Sequence, residues 1–426
     1  MINVLTRISK VFVSIFILYT FWFKEVYGNY PLILYGSVIV ATALVLLDIL
    51  SGAKKIKLYS FVTMLFVFGL YSFLSGIWIA RDVAWFNSIL TTYLAFAVVC
   101  FDVCYISDKT SSTEWILNIL LITSSICAIQ TIFFGGEYRT EVIVRTMSST
   151  NNPNALGFVM ILGIFSLISR KKYVADKLLI KAVVLLAFLY VIILTGSRKT
   201  LLSALLIVAL WVYSLLKTEK GFSNRKISII AITTLIAVVG VYYGLTRYIT
   251  TSSYARLMII GTGANSRAEL YRDAIEFWKT SPIFGIGFGQ YQIWSAYRLY
   301  SHSSYAEILS CTGIIGTIIF FGYMLHLLIK LFKQALRRNE DCYYDYFMCF
   351  VMFIIELILG VGQIYIYDFP HLLILSYLSM SPIFIKKEYE IYQKEIDAYG
   401  QPAAQKRFRR YIPHNRMEVR NNAYSK

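Results

Sequence analysis

Charge is what this sequence has least of. Asp, Glu, Lys and Arg make up 15% of the 426 residues and apolar residues 58%, whereas a soluble domain carries roughly 25% charged residues. That shortage excludes an ordinary soluble globular chain. Paired cysteines are missing too. None of the six cysteines falls at C-x-x-C spacing; Cys100 and Cys104 share one helix face and Cys311 stands alone. Neither a disulfide framework nor a metal site is expected, and the thiols read as small packing residues. No Walker sequence and no internal repeat occurs, which argues against an ATP-driven domain and against the repeated architecture of many transporters. Arg7 and Lys10 precede an apolar run, Val11 to Phe23, that resembles a signal peptide. Lys24-Glu25-Val26-Tyr27 follows it in place of a small-residue cleavage site, so the run reads as an uncleaved first span.

What is present is apolar length. Stretches near 31–50, 58–79, 83–106, 115–134, 154–169, 178–195, 200–216, 227–244, 305–331, 345–366 and 370–385 follow the first span. Each approaches the roughly 17–25 residues that cross a hydrocarbon core. The predicted fold is an all-α polytopic membrane protein of about twelve transmembrane helices over residues 1–385. A basic tail, 386–426, is expected to form a partly helical, then disordered arm near anionic headgroups. The net charge of +17 would suggest nucleic acid in a soluble protein, but here it follows topology. With a cytoplasmic N-terminus, 29 of the 41 Lys and Arg fall on the cytoplasmic side, and 19 against 12 without the tail. The positive-inside rule therefore puts both termini in the cytoplasm. Residues 245–304 become one long external loop, far beyond the usual 2–8 residues between bundled helices, and such loops tend to carry function.

That loop holds chemistry. Ser266 and Glu269 form a capping box, predicting a helix start that Pro282 closes, with Tyr271, Ala274 and Trp278 on one face. Arg267 in its first turn, beside exposed N–H groups, makes either an anion site suited to phosphate or an ordinary ion pair with Glu269 or Asp273. The P-I-F-G-I-G-F-G run that follows permits a tight backbone turn and lacks dinucleotide spacing. His302, one of four histidines, stands at the outer start of the next span as a structural residue or a general base. His371, beside Asp368, competes for that role. Arg198-Lys199 at the outer end of the seventh span either snorkels to headgroups or marks a substrate path. Glu356, deep in the eleventh span, must be protonated, paired with an Arg, or functional.

The order N-N-P-N-A-L-G at 151–157, T-G-S-R at 195–198, an Arg-led helix ending at Trp278, P-x-x-G-x-G-x-G, and H-S-S-Y…G-I-I-G resembles the O-antigen ligase and O-antigen polymerase superfamily of bacterial surface-polysaccharide enzymes. Where that family usually reads His-Asn, Tyr-Leu and a Glu two residues before the glycine, this chain has Ser303, Ala306 and Cys311, with Glu307 near enough to take the acidic place. The resemblance implies a GT-C-like membrane glycosyltransferase, independent of metal and cofactor. Its donor would be an undecaprenyl-diphosphate-linked oligosaccharide. By that resemblance His302 is the catalytic base and Arg198 and Arg267 bind the diphosphate; Arg272, Glu307, Glu356 and His371 are accessory candidates read from the residues themselves. Tyr271, Trp278, Tyr291, Trp294 and Tyr297 either stack on sugars or sit in the interfacial belt.

The expected function is polymerisation of repeat units for capsule, O-antigen or exopolysaccharide in the bacterial cytoplasmic membrane, with the active site on the external face. Transfer of finished glycan to lipid A-core or protein, as a ligase, is the alternative. A polysaccharide flippase is a third reading that fits the span number. Expected partners are the lipid-linked donor, a glycan acceptor, the bilayer, and assembly proteins such as a flippase or chain-length regulator, with no nucleic acid.

Overall fold

The computed structural model describes residues 4–24, 30–52, 57–79, 81–140, 143–147, 153–169, 178–218, 262–337 and 342–399. Their helices are α1 (Val4–Leu18, extended by a π-turn at Tyr19–Phe23), α2 (Pro31–Leu50), α3 (Ser60–Leu74), α4 (Val83–Thr110), α5 (Glu114–Phe134), α6 (Pro153–Ser169), α7 (Leu178–Thr195), α8 (Arg198–Thr218), α9 (Thr262–Thr280), α10 (Tyr291–Trp294), α11 (Ser304–Ala335), α12 (Tyr343–Leu359) and α13 (Phe369–Tyr399). Helices stand at eleven of the twelve expected spans; the expected span 227–244 lies outside the described residues. Seven helices among the described residues are long and apolar enough to cross a membrane, and Pro153–Ser169 and Ile180–Thr195 are shorter apolar ones. The chain is an all-α polytopic membrane protein. One antiparallel hairpin, Gly136–Thr140 with Ile143–Met147, interrupts the helices in a stretch where no strand is predicted.

Local chemistry explains the boundaries. Pro31 opens α2 and Pro153 opens α6, where a missing N–H costs nothing. The Asp82 carboxylate caps α4 by accepting the Trp85 N–H at 2.9 Å. Packing separates rim from centre. The apolar windows of α1 and α2 are only 39% and 33% buried, whereas that of α13 is 89% buried. The short helix α6 is also central, since every residue from Leu156 to Ile168 is buried. A helix apolar on all sides belongs inside protein, and α6 and α13 fill that role.

Connections alternate between two ends of the bundle. At one end Lys109 pairs with Asp48 at 3.0 Å, Tyr59 donates to Asp108 at 3.2 Å and Lys387 reaches Ser111 at 2.8 Å. At the other end the 75–85, 281–303 and 360–368 segments meet. Consecutive long helices therefore run up and down.

The decisive feature is a break in α11. Gly313 has φ 62° and ψ −164°, which interrupts the helix and frees backbone groups on both sides. The glycine-rich turn fills those vacated bonds. Ile286 and Gly287 N–H groups donate to the Ser310 and Cys311 carbonyls at 3.0 and 2.9 Å, and Ile314 and Ile315 N–H groups donate to Pro282 and Ile283 at 3.0 and 3.3 Å. Inside a membrane every backbone polar group needs such an internal partner. Side chains complete the clasp: the Tyr71 hydroxyl donates to Phe284 and Thr312 carbonyls, and the Trp78 and Trp85 indoles donate to Gly285 and Gly289 carbonyls. A Cβ on Gly285 would lie 2.4 Å from the Cys311 carbonyl, and one on Gly313 would lie 2.3 Å from the Ile283 oxygen. Both glycines also have positive φ.

Gly313→Ala and Gly285→Ala should each destabilise the detergent-solubilised protein, by about 1–3 kcal/mol for the backbone strain alone, and so lower its thermal midpoint. Gly322→Ala on the same helix, where only Ile318 comes within 4.0 Å, should leave the midpoint unchanged or raise it. Size-exclusion melting curves check both.

Candidate functional site

The site is organised by a strap that the sequence does not reveal. The apolar run V-G-Q-I-Y-I-Y suggests a span to residue 366, but α12 ends at Leu359 and Gly360–Asp368 form a folded connection with a 3-10 turn at Tyr365–Tyr367. Gly360 lets the strap fold back, since a Cβ there would lie 2.1 Å from the Tyr365 hydroxyl. The only signals in the sequence are the paired glycines and Gln363, which suit a turn better than a lipid-facing helix.

Ser304, the first residue of α11, docks on this strap. Its N–H donates to the Gly360 and Gln363 carbonyls at 2.8 and 3.1 Å. Its hydroxyl donates to the Gln363 carbonyl at 2.7 Å and accepts the Tyr365 N–H at 3.0 Å. Ser303 caps the helix by accepting the Ala306 N–H. Just before it, His302 is half-buried at φ 56°, with its ring 4.3 Å from that of Tyr300. A left-handed non-glycine residue costs about 1–2 kcal/mol, and it persists only where its surroundings hold it. Glu307 supplies that hold. Fully buried, it accepts the Ser301 N–H at 2.8 Å on one oxygen and the Tyr367 hydroxyl at 3.2 Å on the other. Desolvation and the adjacent Glu307 carboxyl push the Tyr367 hydroxyl well above its ordinary pKa, so it stays a neutral donor. Cys311, standing where the resembled family has Glu, is buried against Leu270, Ala274 and Tyr291.

The same strap gathers the other motifs. Gln363 donates to the Asn154 carbonyl at 3.3 Å, which ties the first turn of α6 to the strap. Thr200 of α8 packs on Gly157 of α6, where a Cβ would lie 2.6 Å from its hydroxyl. Arg198 is exposed at the start of α8, after a turn in which Gly196 has φ 61°. Its neighbour Lys199 places Nζ 2.5 Å from where a Gly362 Cβ would be. Lys199 and Ser304 thus both meet the strap, and Arg198 and His302 stand one and two residues before them in the chain.

Helix α9 crosses this end. Leu270 and Ala274 bury against Tyr291 and Cys311, the Tyr291 hydroxyl donates to the Leu270 carbonyl at 2.6 Å, and the Tyr271 hydroxyl donates to Val361 at 2.9 Å. The buried face is therefore Leu270 and Ala274 rather than the expected Tyr271, Ala274 and Trp278. The helix also starts at Thr262, four residues before the expected cap at Ser266. Arg267 consequently lies in the second turn rather than at the positive helix end, and its side chain falls outside the described ones. Arg272 is exposed.

Two predicted roles change. His371 does not compete with His302 at the open end. It is fully buried, its ring stacked on Phe158 at 4.0 Å and 12°. Glu356 is paired, but with a histidine instead of an arginine: its Oε2 lies 2.7 Å from His371 Nδ1. Asp368 lies 3.7 Å from His371 Nε2.

Residues 182–321 match the family model described as O-antigen ligase, a segment that includes T-G-S-R, the glycine turn and His302. No curated protein matches the chain. A chain from a peptidoglycan synthase complex that coordinates polymerization and crosslinking aligns at 13% identity, over 77% of this chain and 96% of that one, with a TM-score of 0.39, too low to support an argument. The matched segment carries all of the motifs on which the sequence resemblance rests except N-N-P-N-A-L-G at 151–157, and over those residues the chain is similar to the O-antigen ligase family.

Proposed function

We propose that the protein is a membrane glycosyltransferase that polymerises undecaprenyl-diphosphate-linked oligosaccharide repeat units of a surface polysaccharide. The observation that carries the reading is the assembly of His302 and the cationic start of α8 around the Gly360–Asp368 strap. In the proposed reaction an acceptor sugar hydroxyl gives its proton to the His302 imidazole as its oxygen attacks the anomeric carbon of the donor. The bond from that carbon to the diphosphate oxygen breaks, and the lipid diphosphate leaves with the electron pair. Arg198, and Arg267 by its place in the motif order, offset the charge that develops on the leaving group. Glu307 fixes the His302 loop from behind. The open end bearing these groups is taken to face outward, with both termini cytoplasmic, as the Lys and Arg distribution suggests. Since the matched family model is described as O-antigen ligase, a second reading keeps the same site and sends the finished glycan to lipid A-core or protein.

Glycans from a strain lacking the gene separate the two readings. Single-repeat products without a ladder are expected for a polymerase, and long chains stranded on undecaprenyl diphosphate would identify a ligase.

In proteoliposomes supplied with external donor, His302→Ala should lose at least about a hundredfold of transfer, the usual scale of general-base catalysis. Arg198→Ala should lose a similar factor through the leaving group. Undiminished transfer by both variants would sink the catalytic assignment.

Glu307→Gln should keep transfer within about threefold of the parent, because an amide still accepts the Ser301 N–H. Glu307→Leu should lose at least about tenfold, since it leaves that N–H orphaned at a cost of about 1–3 kcal/mol. Initial rates in the same assay check this pair.

A further inference from the structure

Glu356 and His371 take no part in the proposed reaction, yet they occupy the base of the strap on which it depends. Glu356 lies one turn before α12 ends at Leu359, and His371 is the third residue of α13. Their 2.7 Å contact ties the two helix ends from which the strap emerges. Both are completely buried. The Phe158 ring stacks on the imidazole, and the Tyr365 ring lies 5.3 Å away. The second carboxyl oxygen, Glu356 Oε1, has no hydrogen-bond partner among the described residues. Among the described residues the charged group in ion-pair range of the imidazole besides Glu356 is Asp368, 3.7 Å from Nε2, with Lys24 acting electrostatically on Asp368. A buried acid with one satisfied oxygen is costly to leave alone, so the imidazole partner is strongly required.

Two lines of contact run from this base to either side of His302. Along one, the Tyr365 hydroxyl donates to the Glu356 carbonyl at 2.5 Å and the Tyr365 N–H donates to Ser304. Along the other, the Tyr367 hydroxyl donates to Glu307, which accepts the Ser301 N–H. His302 sits between Ser301 and Ser304, so both of its flanks are referred back to the same strap.

We propose that Glu356 and His371 are positioning residues for the transfer reaction: their contact fixes the register of the strap and, through Tyr365 and Tyr367, the placement of His302. This rests on the reading of His302 as the base. Such residues act on the geometry of the reacting complex more than on ground-state binding, so loss of the contact lowers kcat while KM moves little.

The test uses the full chain in nanodiscs, with lipid-linked repeat units extracted from a strain lacking the gene as donor. His371→Leu is expected to lose at least about tenfold in kcat with KM within about twofold. His371→Asn, which restores an N–H donor near Nδ1, returns kcat to within about threefold of the parent. Ser304→Ala removes the two hydroxyl contacts to the strap, and combined with His371→Leu it costs no more than the worse single variant. Fully active, folded His371→Leu, failure of His371→Asn to rescue, or multiplicative losses in the double variant would each overturn the proposal. Amide hydrogen exchange gives a readout that needs no donor. Protection of the Ser304 amide is expected to fall at least about threefold in Glu356→Leu, which serves should His371→Leu not assemble, and unchanged protection overturns the proposal. His302→Ala separates the two levels. If it retains transfer, the base assignment fails; if it is inactive while His371→Leu is fully active, only this inference fails.

Discussion

A membrane offers no water to an unpaired N–H or carbonyl, and this constraint shapes the molecule wherever its helices stop being regular. The break at Gly313 exposes backbone groups that only another piece of backbone can satisfy, and the glycine turn at 285–289 is that piece. Because the turn must enter the bundle, the residues before and after it are fixed as well: α9 is held across one end, and the 290–303 segment is led to the start of α11. Gly285 and Gly313, far apart in sequence and packed backbone to backbone, are the two halves of one joint.

The same rule organises the strap. Gly360–Asp368 is irregular backbone at the end of a packed bundle, and its carbonyls find partners in Ser304 and Tyr271. Hydrogen bonds that satisfy the strap also locate His302. The same few contacts that satisfy the strap therefore also hold the backbone on both sides of His302.

Much of the fold is legible in the sequence because lipid simplifies the code: a span needs apolar length, and eleven expected spans coincide with helices. His302 and Arg198 stand out in the sequence only through the order of the motifs along the chain, and their proposed roles rest on that order. The strap is not, because Ile364, Tyr365 and Ile366 are buried in protein and an apolar segment buried that way reads like one facing lipid. The start of α9 differs from expectation because a good capping box at Ser266 can also sit inside a longer helix. The partner of Glu356 escapes a sequence reading because His371 is fifteen residues away, across a connection that looks like continued helix.

The burial of α13 has a consequence for how the protein is made. Chains emerge N-terminal end first, and α13 is the last of the seven long apolar helices in chain order, yet its window is the most enclosed of them. Its neighbours in the finished bundle, α4 and α12 among them, are synthesised before it. Until α13 arrives they face lipid or one another along surfaces shaped for protein. The bundle therefore closes around the last of these helices to be synthesised, and the strap, which joins α12 to α13, takes its form only at that closing step.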